Sequence, residues 1–274
     1  MNWQEGDFPV QRALTIPRLF IAFARALPVI CVILFGLVLM LVLRLIERPL
    51  FGVSRPITPY ITQYVCRLSL FFIGVRLRIE GKGMNMRGAV VSNHCSWLDI
   101  FVLNAFQRVY FVSKAEVSSW PFIGQLAQAT GTAFIERNPR KAGVQKELFR
   151  KRLLAGHKLL FFPEGTSTDG LQVIPFKSSL FAAFYEEGLK DVLYIQPVTL
   201  IYKAPEGEDP RFYGWWGDMS FAGHLLHTLC CPKRGAATVV FNEPIRVKEI
   251  KTRKELAALS EDIVRKAHSK VIQR

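Results

Sequence analysis

The sequence predicts an α/β fold, a mainly parallel mixed sheet flanked by helices, with an N-terminal membrane-docking helical segment. Three observations predict it. Strand-like runs recur from residue 75 to residue 247, helical patterns lie between several of them, and one long stretch near the start carries no charge. That stretch, residues 26–43 between Arg25 and Arg44, holds eighteen uncharged positions. At helical rise it covers about 27 Å, close to a bilayer core. It starts late and runs into Leu43-Arg44-Leu45-Ile46-Glu47 with no small-residue cleavage site, unlike a secretory signal. Pro28 lies near its start, so a full span and a hairpin buried in one leaflet both stay open. Residues 57–75 are apolar but contain Pro59, Arg67 and Gly74. Such an interrupted segment suits the interface, with Arg67 snorkelling toward headgroups. The expected division is a membrane-anchoring region over residues 1–74 and an α/β domain over residues 75–274.

The domain opens with Val75, Leu77 and Ile79 alternating with Arg76, Arg78 and Glu80, the period of a half-exposed strand, ended by Gly81-Lys82-Gly83. Strand-like runs follow at 89–92, 109–112, 132–135, 158–162, 192–202 and 237–247. Residues 203–218 read as the one long loop. At the C-terminal side, Thr252-Arg253-Lys254-Glu255 forms a capping-box pattern. Leu256, Leu259, Ile263, Ala267 and Val271 then recur at helical spacing and should form the packing face of a helix with a basic outer side.

Composition narrows the partners. Half the residues are hydrophobic, 21% are charged and the net charge is +14. That balance supports a sizeable core and points to an anionic surface or carrier. A nucleic-acid-binding domain has no use for the uncharged stretch, so lipid headgroups and acidic carriers fit the charge better than nucleic acid. The cysteines at 31, 66, 95, 230 and 231 make no metal-ligand spacing and suggest a reducing compartment. Neither a metal nor a cofactor is expected.

The chemistry is concentrated in Asn93-His94-Cys95-Ser96-Trp97-Leu98-Asp99, which follows the apolar run Gly88-Ala89-Val90-Val91-Ser92. His94 should sit at a strand end and Asp99 near a helix start. On one continuous helix, residues five apart lie about 140° around the axis, so the two meet only because the chain turns between them. A carboxylate on one imidazole nitrogen leaves the other free to take a proton from a hydroxyl. Cys95 invites a thiol-nucleophile alternative, but adjacent side chains usually point apart.

Three further clusters fall at expected strand ends. Lys114 precedes Trp120-Pro121-Phe122-Ile123-Gly124, and Gly131-Thr132-Ala133-Phe134-Ile135-Glu136-Arg137 sets a guanidinium after an apolar strand, which suits a phosphate. Phe161-Phe162-Pro163-Glu164-Gly165-Thr166-Ser167 carries a carboxylate, a glycine that permits close backbone approach and two hydroxyls. Gln196-Pro197-Val198 puts a proline in an otherwise central strand, which demands an edge, a bulge or a special wall.

Together these blocks, across residues 75–202, resemble the glycerolipid acyltransferase superfamily typified by lysophosphatidate acyltransferases. Its His-x4-Asp motif falls on His94 and Asp99, its Phe-Ile-x-Arg block on Phe134, Ile135 and Arg137, its Pro-Glu-Gly-Thr block on Pro163, Glu164, Gly165 and Thr166, and its fourth block on Pro197. The resemblance implies that His94 is the general base, that Asp99 orients it, and that Lys114, Arg137, Glu164, Gly165, Thr166 and Ser167 form the acceptor side of the site. It also implies a fatty acyl donor, acyl carrier protein or acyl-coenzyme A, a lysolipid acceptor, and an inner-membrane location with the catalytic side toward the cytoplasm. One position departs from the pattern. Lysophosphatidate enzymes usually carry Arg after Pro-Glu-Gly-Thr, and this chain has Ser167. The run through Thr168-Asp169-Gly170, with Pro175-Phe176-Lys177 and Trp215-Trp216-Gly217-Asp218-Met219, is more similar to bacterial lyso-ornithine lipid acyltransferases, whose acceptor has an amine and a carboxylate in place of phosphate. Asp169 or Asp218 could pair with such an amine or could simply be turn residues. A phosphatidate-forming acyltransferase, a metal-dependent lipid hydrolase and a non-enzymatic lipid-binding protein are the competing expectations.

Overall fold

The computed structural model describes residues 8–9, 13–136, 142–186 and 188–272. Two helices, α1 (Ile16–Phe51) and α2 (Thr58–Ile73), precede an α/β unit. That unit holds β1 (Val75–Glu80), β2 (Gly88–Ser92), α3 (Leu98–Phe106), β3 (Tyr110–Lys114), α4 (Ile123–Thr130), β4 (Ala133–Ile135) and α5 (Ala142–Leu154). It continues with β5 (Leu159–Phe161), β6 (Tyr194–Lys203), α6 (Phe221–Cys230), β7 (Gly235–Phe241), β8 (Ile245–Arg246) and α7 (Arg253–Ile272). The strands form one sheet in the order β1-β7-β6-β2-β5-β3-β4, with β8 also on β6. β6, β2, β5, β3 and β4 pair in parallel, β7 and β8 pair antiparallel with β6, and β1 pairs in parallel with β7. The ends of β2 and β5 therefore open on the same side, the usual place for a site in such sheets.

Alternation along the strands builds a core on each face. Val90, Leu160, Val198 and Leu200 pack with Leu70 and Ile73 of α2 and Leu98 and Val102 of α3. Ala89, Val91, Leu159 and Phe161 pack instead with Phe181, Phe184 and, from α7, Leu256 and Val264. Each fully buried aliphatic or aromatic side chain contributes about 1.5–3 kcal/mol. Since α2 shares a core with the sheet, the helical pair is fastened along the domain.

Several expectations need correction. Pro59 and Gly74 do not interrupt the second apolar segment. Pro59 stands in the first turn of α2, where its missing N–H is no loss, and Gly74 closes the helix at φ 91° with its N–H on the Leu70 carbonyl. Arg67 Nε donates to the Ala105 carbonyl at 2.6 Å, which ties its side chain to the end of α3. The single run expected over 237–247 divides into β7 and β8. Pro244 lies between them, and the two strands pair with different ends of β6. Pro197 sits opposite that gap, where its carbonyl accepts from Asn242 N–H at 3.1 Å, so on this side its missing N–H breaks no ladder. On α7 the buried residues are Leu256, Ala257, Ser260, Val264 and His268, leaving Leu259 exposed. Two polar residues complete that stripe, so the apolar pattern alone pointed to a rotated face. Thr252 does cap the helix, its Oγ1 accepting from Glu255 N–H at 3.2 Å.

Candidate active site

β2 ends at Ser92 and α3 begins at Leu98, which leaves residues 93–97 to turn the corner. Asn93 pins it to the sheet, its Nδ2 donating to the Leu200 carbonyl and its Oδ1 accepting from Leu200 N–H, both at 2.8 Å. The turn brings His94 Nδ1 to 2.6 Å from Asp99 Oδ2. Asp99 is fully buried in the first turn of α3 and is saturated with donors. Oδ2 also accepts from the backbone N–H groups of Cys95 at 2.9 Å and Ser96 at 3.1 Å, while Oδ1 accepts from the Tyr202 hydroxyl at 2.9 Å and the Cys95 thiol at 3.6 Å. A carboxylate surrounded by donors takes the Nδ1 proton's hydrogen bond and leaves the Nε2 lone pair as the basic position of the ring. Burial, reinforced by the Asp99 charge, pushes both the Cys95 thiol and the Tyr202 hydroxyl well above their ordinary ranges. Both stay protonated, so Cys95 serves Asp99 as a donor and is a poor nucleophile.

The rest of His94 is equally constrained. Its ring stacks on Phe162 with centroids 4.0 Å apart and planes 11° from parallel. Its carbonyl accepts from Thr168 N–H at 3.0 Å, and its own N–H donates to Glu164 Oε2 at 2.6 Å. The other Glu164 oxygen accepts from Ile174 N–H at 2.9 Å, and the side chain is buried. Glu164, expected on the acceptor side, is thus placed as a brace between the His94 corner and the following loop. Burial raises its carboxyl to about 8, against the lowering effect of those two N–H groups. From α7, Glu261 Oε2 accepts from Phe176 N–H at 2.8 Å and His268 Nε2 donates to the Gly170 carbonyl at 3.0 Å, which fixes the far side of the same loop.

Of the other expected residues, Gly165 turns the chain at φ 72°, and a side chain there would meet Lys177 Nζ at 2.5 Å. The Lys177 ammonium therefore closes over the Pro-Glu-Gly-Thr turn, beside the half-buried Thr166 and Ser167. Lys114 is exposed at the end of β3, on the same side of the sheet as His94. Arg137 lies outside the described residues. Asp169 holds its own turn, Oδ1 accepting from Leu171 N–H at 2.9 Å. Among the described residues no cluster of three or more His, Cys, Asp or Glu is arranged to hold a metal ion. Tyr202 is the contributor that motif spacing did not single out for the corner, since β6 brings it in from far along the chain. Lys177, already in the run that followed the Pro-Glu-Gly-Thr block, is the cation that the fold sets against the Gly165 turn.

Comparison with known proteins gives the geometry its family. A family model described as Acyltransferase matches residues 77–201. The lyso-ornithine lipid O-acyltransferase of Rhodobacter capsulatus is 60% identical over 234 residues, 85% of each chain. The chain belongs to the acyltransferase family. A second enzyme of the same description, from Brucella abortus, is 37% identical over 78% of this chain and 82% of its own. In fold, the chain is similar to the crystal structure of the 1-acyl-sn-glycerophosphate acyltransferase PlsC from Thermotoga maritima, with a TM-score of 0.67 at 17% identity over 94% of this chain and 98% of that one. This acyltransferase also carries, in α1, a helix long and apolar enough to cross a membrane.

Proposed function

We propose that the enzyme transfers a fatty acyl group from acyl carrier protein or acyl-coenzyme A to the hydroxyl of lyso-ornithine lipid at the cytoplasmic face of the inner membrane. The chemistry rests on one observation: His94 Nδ1 is committed to the buried Asp99, which leaves Nε2 as the base. Nε2 takes the acceptor hydroxyl proton as the oxygen attacks the thioester carbonyl. The C–O bond forms, the C–S bond breaks, and the proton passes on to the departing thiolate. Asp99 keeps the tautomer and stabilises the transient imidazolium. No acyl-enzyme is needed.

The acceptor assignment draws on the Rhodobacter capsulatus relative and on Ser167, which offers no guanidinium for a phosphate. In this reading Lys177, poised over Gly165, takes the acceptor carboxylate, and Lys114, Arg137, Thr166 and Ser167 complete that side. Residues 1–74 serve as the docking region and residues 75–274 as the catalytic domain. α1 lies along one leaflet. Near its start Arg25 Nη1 donates to the Cys231 carbonyl at 2.7 Å, and near its end Leu41 to Arg48 share a groove with Gln128 and Ala129 of α4. A helix fastened to one domain on both sides of its uncharged stretch cannot carry that stretch through hydrocarbon without taking the domain along.

The test is an acyl-transfer assay with purified full-length enzyme and labelled acyl carrier protein or acyl-coenzyme A, offered lyso-ornithine lipid and lysophosphatidate side by side. Lyso-ornithine lipid is expected to be the better acceptor, and Ser167→Arg to raise use of lysophosphatidate through its KM. A wide wild-type preference for lysophosphatidate would move the enzyme to the phosphatidate-forming branch.

A further inference from the structure

A second cavity, of about 480 Å3, lies at the opposite end of the strands that carry the His94 corner. Its walls come from segments just before β2, β3 and β5, which supply Met84, Arg108 and Lys158, and from the α1–α2 turn and α2, which supply Arg55 and Arg67. Among the described residues no Asp or Glu lines it. Hydrogen bonds and ring contacts tie three of the four cations to neutral groups, and the carboxylate that acts on Arg55, Glu47, has a smaller effect than burial and the neighbouring Arg44. Arg55 Nη1 donates to the Ala129 carbonyl at 2.8 Å, Arg67 Nε to the Ala105 carbonyl at 2.6 Å, and the Arg108 guanidinium stands 4.1 Å from the Tyr60 ring centroid. None of the four forms an ion pair among the described residues.

Like charges held together without counter-charge oppose folding unless an anion completes them. The neighbouring groups register the same field. His157 is buried in the wall, its ring stacked on Tyr110 with centroids 4.2 Å apart. Burial and then the charges of Arg152, Arg55 and Arg44 hold its pKa down to about 4, despite an opposing pull from the Val53 carbonyl. Lys158 is lowered by burial and by Arg108.

Arg55 also lines a second groove of about 450 Å3, where Leu41, Val42 and Leu45 of α1 stand with Arg44, Arg48, Gln128 and Ala129. The three aliphatic side chains are at least half exposed, at 50%, 52% and 76%. A cationic chamber thus opens beside a groove on the helix that meets the lipid. We propose that the two cavities together bind one anionic glycerophospholipid, its phosphate among Arg55, Arg67, Arg108 and Lys158 and an acyl chain along Leu41, Val42 and Leu45. A basic pocket beside a membrane-seated helix is the arrangement that recognises such headgroups. The site is separate from the transfer site: the five residues of β2 alone put about 17 Å between the two strand ends. Bound there, the lipid cross-links the α1–α2 turn to the α/β unit and adds to membrane retention wherever anionic lipid is present. This inference rests on the proposed docking of α1 in the leaflet.

The test uses the full chain in mild detergent, with native mass spectrometry of retained phosphatidylglycerol and flotation on vesicles of phosphatidylcholine with or without phosphatidylglycerol. R108Q/K158Q removes two cavity cations. K251Q/K254Q removes the same charge from exposed positions beside and within α7, on the other face of the sheet. The cavity variant is expected to lose at least about tenfold in affinity for phosphatidylglycerol, with phosphatidylcholine binding and acyl transfer in detergent unchanged and thermal unfolding no earlier than in wild type, while the α7 variant stays within about twofold of wild type. K158Q alone, at a half-buried position, should show part of the same loss and covers the case in which the double variant unfolds early. Equal losses in both variants would mean diffuse attraction and overturn the site. Displacement of the lipid by inorganic phosphate at matched concentration would make it a free-anion pocket, and displacement by acyl-coenzyme A or acyl carrier protein a donor pocket. Either overturns the proposal. Failure of the wild type to bind phosphatidylcholine vesicles would instead count against the docking of α1.

Discussion

The two ends of the parallel strands are opposite solutions to the placement of charge. At the His94 end the buried Asp99 carboxylate receives hydrogen bonds from His94, Cys95, Ser96 and Tyr202, so nothing is left to rearrange when a proton moves. At the other end Arg55, Arg67, Arg108 and Lys158 share a cavity without a counter-charge. A fully satisfied network rigidifies a site, and an unbalanced one calls for a ligand. The difference is between a site whose polar groups are all committed to one another and a cavity whose charges are left open to a ligand.

The saturated end should fail hardest. His94→Ala is expected to lower acyl transfer by about 10²- to 10⁴-fold, with thermal unfolding and vesicle flotation unchanged. Near-normal initial rates in a folded variant would remove His94 from the chemistry. Tyr202→Phe takes one donor from Asp99, and a hydrogen bond to a charged group is worth about 1.5–3 kcal/mol, so kcat should fall by about ten- to a hundredfold while KM for the acceptor holds. A change confined to KM would show that Tyr202 acts on binding.

The smallest effect concerns acid stability and samples both ends. Behind the His94 corner, His224 Nδ1 accepts from Trp97 Nε1 at 2.9 Å and its Nε2 donates to the Phe212 carbonyl at 3.2 Å, so the ring is fixed neutral. Burial holds its pKa down to about 4 from 6.5, and His157 in the cation cavity is likewise held to about 4. Between those values the unfolded chain binds the extra protons, so stability is lost as pH falls through that window. Glu164 acts in the opposite sense. Its folded value of about 8 lies above the ordinary 4.5, so its contribution is lost as pH rises between the two. The unfolding midpoint should therefore peak near about pH 6.5. His224→Gln should flatten the acid side, and phosphatidylglycerol should relieve only the share due to His157. A midpoint indifferent to pH from 4 to 8 would show that these groups are not held as described.

How far the sequence reveals this molecule depends on chain separation. The His94–Asp99 couple is legible because a strand, a corner and a helix start lie within a dozen residues. The same holds for β2, β3 and β5, whose apolar runs are bounded by turns. Tyr202 and His224 are illegible as parts of the corner, since β6 and α6 deliver them from far along the chain. Glu164 is visible as a motif carboxylate, but only the fold shows both of its oxygens on backbone N–H groups. Pro59 and Gly74 stand out as breaks, and local sequence does not distinguish a break within a helix from its two ends. The cation cavity draws on four separate segments, none unusual alone.

The contacts of α7 with the loop after β5 also set an order of events during synthesis. His268 lies 98 residues beyond Gly170, so at a ribosomal rate of about 5–20 residues per second the loop waits roughly 5–20 seconds for that hydrogen bond. By then α1 has long since emerged and can already rest against the bilayer. The nascent chain thus presents its long apolar helix before the loop beside His94 is locked, so the order of synthesis puts the helix that could meet a membrane ahead of the completed site.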